Sequence, residues 1–192
     1  MDTFKDFLSQ YLAISVADWE VIQSRLQHRV TAKNEVLTML GEVENNIYFL
    51  ESGAVRLYYE GEQRDVTLNI GFPNAFIGSH SSFLTRAKSE FVLQCLTPCK
   101  LTYISHEDLM TIYEKTDCGH ELGRVFTEKI FLYLSKRENS FLLESPTKRY
   151  LSLFEEQPQL ILEIPQKYLA SYIGITPQAL SRIRGKLLQG RS

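Results

Sequence analysis

The sequence predicts an α+β chain in three parts: an antiparallel barrel or jelly roll, one long helix, and a C-terminal helix-turn-helix. Three observations carry this. Short alternating runs split by Gly, Pro and Asn fill residues 30–104. An apolar helical pattern then continues from Thr116 to Pro146 with no proline inside it. Finally, residues 165–188 set a glycine stop, a capping threonine and a proline between two helical segments.

A chain of 192 residues has room for a sensor and a small second module. With 44% hydrophobic and 23% charged residues it has an ordinary globular composition, and no polar, highly charged stretch points to disorder. No run has the 18 or more apolar residues of a membrane span, and the first five residues lack the layout of a signal peptide. A cytoplasmic protein that makes no contact with a membrane is expected. Cys95, Cys99 and Cys118 are odd in number and, with His120, match no zinc-ligand spacing, so they are expected to be reduced, buried and structural, with no metal.

The N-terminal apolar residues Phe4, Phe7, Leu8, Tyr11 and Leu12, then Trp19, Ile22 and Leu26, recur at helical spacing and predict two short helices, the second capped by Ser15. Strands are expected at 46–50, 54–59, 65–70, 91–96 and 100–104, broken at Gly53, Gly61, Gly71, Pro73 and Pro98. Ser105 caps a helix beginning at His106, with Asp108 in its first turn.

The long helix carries Leu122, Val125, Phe126, Ile130, Leu132 and Tyr133 on a surface broader than a coiled-coil seam. One side can pack on the barrel while another meets a partner helix, so a homodimer is expected, with Leu122, Val125, Phe126, Lys129, Leu132 and Tyr133 at its interface. A helix lying only on the barrel is the simpler alternative. Beyond Pro146 a helix is expected at 147–156, a break at Pro158, and an apolar run at 160–164 suited to a wing strand.

Pro165 sits at the first turn of the next helix, whose short apolar face is Leu169, Ala170 and Ile173. Gly174 stops that helix, Thr176 caps the following one, and Pro177 takes its first position. At about 100° per residue, Leu180, Ile183 and Leu187 form the buried stripe of the second helix, while Gln178 and Arg182 point away with Ser181 beside them. Glutamine can chelate adenine and arginine guanine in the major groove, so these are the candidate base readers. Gln166, Lys167, Thr176, Pro177 and Lys186 complete the candidate DNA surface, Lys167 and Thr176 as phosphate anchors at helix N-termini; Arg184 falls near the buried stripe and is assigned to packing or phosphate. The net charge of −2 hides an asymmetry: residues 146–192 carry +4, which leaves −6 on the rest. A helical hairpin with a basic flank and no DNA contact is the plainer reading.

With these motifs in place the chain resembles the Crp/Fnr family of transcription regulators over nearly its whole length. The likeness lies in Asn46-Ile-Tyr-Phe-Leu-Glu-Ser-Gly-Ala-Val-Arg-Leu-Tyr-Tyr59, with Gly53 as a hairpin turn, in Phe76-Ile-Gly-Ser79 with Lys88-Ser89 farther on, and in the 165–186 segment. The resemblance implies a double-stranded β-helix (jelly-roll) sensor of the cyclic-nucleotide-binding type at 1–115, a dimerisation helix at 116–145 and a winged helix-turn-helix at 146–192. Double-stranded DNA and a second copy are the implied partners, with RNA polymerase a further one.

The phosphate-binding cassette departs from the family's pattern. Where cyclic-nucleotide binders carry Gly-Glu and Arg-Ser or Arg-Thr, this chain has Gly78-Ser79 and Lys88-Ser89. Serine lacks the carboxylate for the ribose, and lysine offers a point charge in place of a bidentate fork, which argues against cyclic AMP. A different anion near Lys88, with Ser79, His80, Ser81 and Ser82 as partners in a pocket that also takes in Phe76, Gly78 and Ser89, and a barrel filled by its own side chains are the two alternatives. No N-terminal cysteine cluster is present for an iron-sulfur centre, and a lone His80 is weak support for haem. Nor is there a phosphate loop, a His-Glu-x-x-His pair or a Gly-x-Ser-x-Gly elbow, so no catalytic residue is expected. The competing reading is a ligand-sensing or protein-interaction barrel with weak or no DNA binding.

Overall fold

Strand β3 (Asn46–Ser52) is buried on both faces, and this sets the architecture of a computed structural model that describes residues 3–62 and 64–189. Successive strand side chains point to opposite faces. Tyr48 and Leu50 therefore enter the interior between two sheets, while Ile47 and Phe49 pack outward against helices. The other described strands are β1 (Gln27–Thr31), β2 (Val36–Thr38), β4 (Val55–Tyr59), β5 (Val66–Gly71), β6 (Ala75–Ile77), β7 (Val92–Cys95) and β8 (Cys99–Ser105). They form two antiparallel sheets, β1-β8-β3-β6 and β2-β7-β4-β5, in the manner of a jelly roll.

Gly53 is not a hairpin turn. β3 and β4 lie in different sheets, so the glycine carries the chain around a corner from one to the other. Its φ of +96° suits glycine, and a Cβ there would come within 2.5 Å of the Pro98 carbonyl oxygen. The sequence reading also passed over three strands. β1 exposes its first four residues, and β2 and β6 are only three residues long, so none gives an alternating apolar run.

Helices α1 (Thr3–Leu8), α2 (Val16–Gln23) and α4 (His106–Lys115) cover the outer face of the first sheet, and α3 (His80–Thr85) follows β6. Ser15 Oγ accepts from the Asp18 N–H at 3.0 Å, and Ser105 Oγ accepts from the Asp108 N–H at 3.0 Å, as the two cap motifs predict. The long helix α5 (Gly119–Leu143) packs its first half on this same cluster through Leu122, Val125 and Phe126.

The C-terminal part comprises α6 (Pro146–Glu156), α7 (Pro158–Glu163), α8 (Gln166–Tyr172) and α9 (Pro177–Gln189). Residues 160–163 of the run expected as a wing strand belong to helix α7, and Ile164 follows directly after it. Pro158 occupies the first helical position, and Ile161 and Ile164, one turn apart, are buried while Leu162 is exposed, a period of three that a strand cannot satisfy. Among the described residues no strand follows Ser105, and no helix is long and apolar enough to cross a membrane.

These helices share a core with the barrel. Ala54, Ile70 and Leu96 pack with Tyr150, Leu153, Ile161, Ile164, Leu169, Ala170, Ile173 and Leu180. Thr67 N–H of β5 donates to Ser171 Oγ of α8 at 2.9 Å, which fixes the contact in register.

Candidate nucleic-acid interface and effector cavity

The turn between α8 and α9 is built as the local sequence dictates. Gly174 has φ +78°, the left-handed conformation that ends a helix, and a Cβ there would press within 2.7 Å of the Phe141 ring. The Ile175 N–H then donates to the Ala170 carbonyl at 2.9 Å, and Thr176 Oγ1 accepts from the Ala179 N–H at 3.2 Å. Leu169, Ala170, Ile173 and Leu180 are buried where the two helices meet, so the small Ala170 permits their close approach.

This packing leaves Thr176, Pro177, Gln178, Ser181, Arg182 and Lys186 exposed along α9, with Lys167 exposed on α8. Gln166 is spent differently: its amide donates to the Pro177 carbonyl at 3.1 Å and ties the two helices together. Arg184 turns inward, its Nε donating to the Tyr150 hydroxyl at 3.1 Å, in keeping with a packing role. No acidic residue lies between Pro165 and Gln189, so the exposed face is cationic.

A cavity of about 1060 Å³ lies where β5, the 71–81 segment, α1 with the turn after it, and the middle of α5 come together. Of the eight cassette residues, Phe76, Gly78, Ser79, His80 and Ser81 line it. Ser82, Lys88 and Ser89 do not. Ser82 is buried, accepting from the Glu44 N–H and donating to the Ala87 carbonyl; Ser89 Oγ lies 2.8 Å from Ser79 Oγ and donates to the Phe91 carbonyl; Lys88 is exposed, in an isolated bridge with Val43. An anion site centred on Lys88 is therefore not what the cassette forms.

The residue at the centre of the cassette is Glu44, which no sequence motif marked because it stands in a loop. Its carboxylate is 1% exposed and accepts from Thr38 Oγ1 at 2.7 Å, Asn46 N–H at 3.1 Å and Ser79 N–H at 3.3 Å. Burial pushes its pKa up, and these hydrogen bonds offset only part of the shift. The Ser79 N–H, which an external anion would need, is already given to this internal carboxylate.

The opposite wall is formed by α5. Lys129 and Tyr133, expected at a dimer seam, line the cavity together with Ile130, Leu134 and Arg137. Leu122, Val125 and Phe126 are each no more than 3% exposed and are committed to the chain's own core, the Phe126 ring packing at a tilt on Phe76 with centroids 4.3 Å apart. Among the apolar residues that α5 leaves open are Phe131 (65%), Leu132 (62%) and Leu134, then Phe141, Leu142 and Leu143 near its end.

The Tyr133 hydroxyl donates to Asn69 Oδ1 and lies 3.2 Å from the Tyr172 hydroxyl, and Arg137 donates to the Tyr172 carbonyl at 3.0 Å. One end of the cavity is thereby wired to α8. Among the described residues no group of His, Cys, Asp and Glu is arranged to hold a metal ion, and all three cysteines are free and buried.

Residues 28–116 match the family model of the cyclic nucleotide-binding domain. The match spans the barrel and α4. The whole chain is also similar in fold to solved regulators. It covers 92% of itself and 93% of CLP, the c-di-GMP-responsive global regulator of Xanthomonas campestris, at 18% identity and TM-score 0.64. It covers 86% of itself and 85% of FixK2 from Bradyrhizobium japonicum, at 13% identity and TM-score 0.73. A protein of Eubacterium rectale assigned to the Crp/Fnr family of transcriptional regulators matches over 99% of this chain and 88% of its own, at 16% identity and TM-score 0.70. At these identities the likeness establishes the fold, with the domain followed by a long helix and C-terminal helices. A comparison with curated protein sequences found no match.

Proposed function

We propose that this chain is a sequence-specific DNA-binding transcription regulator of the Crp/Fnr type, acting as a homodimer under the control of a small molecule other than cyclic AMP. The observation that carries it is the exposed Gln178, Ser181 and Arg182 on one side of α9, the second helix of a helix-turn-helix whose turn is closed by Gly174 and Thr176. A helix presented this way can lay its N-terminal turns in a major groove, with Thr176, Lys167 and Lys186 reaching phosphates. Contact with RNA polymerase belongs to the same reading.

The dimer would form through Phe131, Leu132 and Leu142, which recur on the open side of α5, and not through the buried residues of its first half. The effector would sit in the cavity, whose α5 wall reaches α8 through Tyr133 and Arg137. Cyclic AMP suits it poorly. The Ser79 N–H is engaged by Glu44, and Lys88 faces solvent outside the lining.

Selection from a pool of random duplexes tests this reading. Enrichment of two-fold symmetric half-sites supports a dimeric reader. No enrichment would leave the barrel as a ligand-sensing or protein-interaction module.

A further inference from the structure

We infer that the cavity takes an elongated apolar monocarboxylate, its hydrocarbon body lying along α5 and its carboxylate at Lys129. This rests on the reading of the cavity as the effector site and names its ligand class. The wall is mostly hydrocarbon: Leu57, Leu68, Ile70 and Phe72 from the barrel side, Ile130 and Leu134 from α5. A volume of about 1060 Å³ exceeds what a single small anion fills. Surfaces of this kind hold ordered water poorly and favour an apolar occupant.

Charge is sparse in the lining, and its sign is biased. Lys129 and Arg137 are cations, and the one acidic lining residue, Asp6, is exposed at the rim. Arg137 is already engaged, donating to the Tyr172 carbonyl and stacking 4.0 Å from the Tyr172 ring centroid. Lys129 Nζ rests 3.6 Å from the Tyr11 ring centroid and has no carboxylate within 4.0 Å among the described residues. A cation held over a ring keeps its N–H donors for an anion.

His80 also borders this space, but its Nδ1 is turned away from it into the protein. His80 Nδ1 is buried and, among the described residues, without a hydrogen-bond partner. Burial lowers its pKa to about 4, so the ring is neutral at pH 7 and adds no charge beside Lys129. Lys129 lies at the α1 end of the cavity through Tyr11, and the 76–81 segment meets α1 where Phe7 packs on Phe76 at 5.6 Å. Lys129 thus serves the head group, and the aliphatic residues beyond it serve the tail.

The test is a thermal-shift and calorimetric titration of the intact protein with dodecanoate, dodecanol and cyclic AMP. Dodecanoate should bind saturably and at least tenfold tighter than dodecanol. Lys129→Gln should erase that preference while dodecanol still binds, and Ile130→Trp, which fills the cavity, should abolish both with unchanged circular dichroism. Equal binding of acid and alcohol, or an acid preference that survives Lys129→Gln, would overturn the carboxylate assignment. Binding of cyclic AMP without dodecanoate would keep the effector cavity and overturn the ligand class; saturable binding that Ile130→Trp leaves unchanged would overturn the cavity itself.

Discussion

The guanidinium of Arg56 lies 4.1 Å from the centroid of the Tyr168 ring, so a barrel strand is stacked directly on helix α8. Tyr58 covers its other face at 4.0 Å, Nε donates to Thr67 Oγ1 at 2.8 Å, and a terminal nitrogen reaches the Asp65 carboxylate at 3.1 Å. A cation 1% exposed and held between two rings is desolvated, where such stacking counts for most.

Tyr168→Ala should therefore cost about 2 kcal/mol in urea unfolding. It should also speed limited proteolysis after Glu144, because the C-terminal helices lose part of their hold on the barrel. Unchanged stability and unchanged cleavage would mean that the stack is incidental.

The division of α5 makes a second expectation. Phe131→Glu or Leu132→Glu should lower the mass seen by light scattering to that of a monomer and leave the circular dichroism intact, since both side chains are open in the single chain. Val125→Glu should instead unfold the protein, because a charge placed in that core has no partner and costs several kcal/mol. A folded Val125→Glu protein would contradict the packing described for α5.

The third concerns pH. His80 has its pKa lowered to about 4 from an ordinary 6.5 by burial. Between these values the unfolded chain takes up a proton that the folded chain excludes, so His80 makes the protein lose stability as pH falls from 6.5 toward 4. Glu44 acts in the opposite direction, its raised folded pKa adding stability as pH falls through it toward 4.5. The difference in melting temperature between wild type and His80→Leu isolates the histidine: wild type should lose ground to the variant on acidification. Parallel curves from pH 8 to 4 would contradict a buried neutral His80.

How far the sequence could be read follows the range of the interactions involved. Ser15, Ser105, Gly174, Thr176 and Pro177 act within a few residues, and their caps and turns stand where the sequence put them, while Pro165 stands one residue earlier than expected, as the N-cap of α8. Gly53 was placed at a bend, but whether the bend is a hairpin or a corner depends on strand pairing some fifty residues away, with β8 on one side and β7 on the other. Residues 160–164 look like a strand by composition, yet burying Ile161 and Ile164 together after Pro158 requires a helix. On α5 the apolar period showed which residues seek burial and not what would bury them. Leu122, Val125 and Phe126 found the barrel, and Lys129 and Tyr133 found the cavity. Glu44 left no trace, since a lone acid in a loop declares nothing until Ser79 and Asn46 fold around it.

The central claim is that α9 reads base sequence through Arg182. The direct measurement is fluorescence polarisation of wild type and Arg182→Ala on a selected duplex and on its scrambled counterpart, across a range of salt. The account predicts a loss of roughly 1 to 3 kcal/mol for Arg182→Ala on the selected duplex only, with an unchanged weak affinity for the scrambled one. Equal affinity of wild type for both duplexes at every salt concentration, or no effect of Arg182→Ala on either, would contradict it.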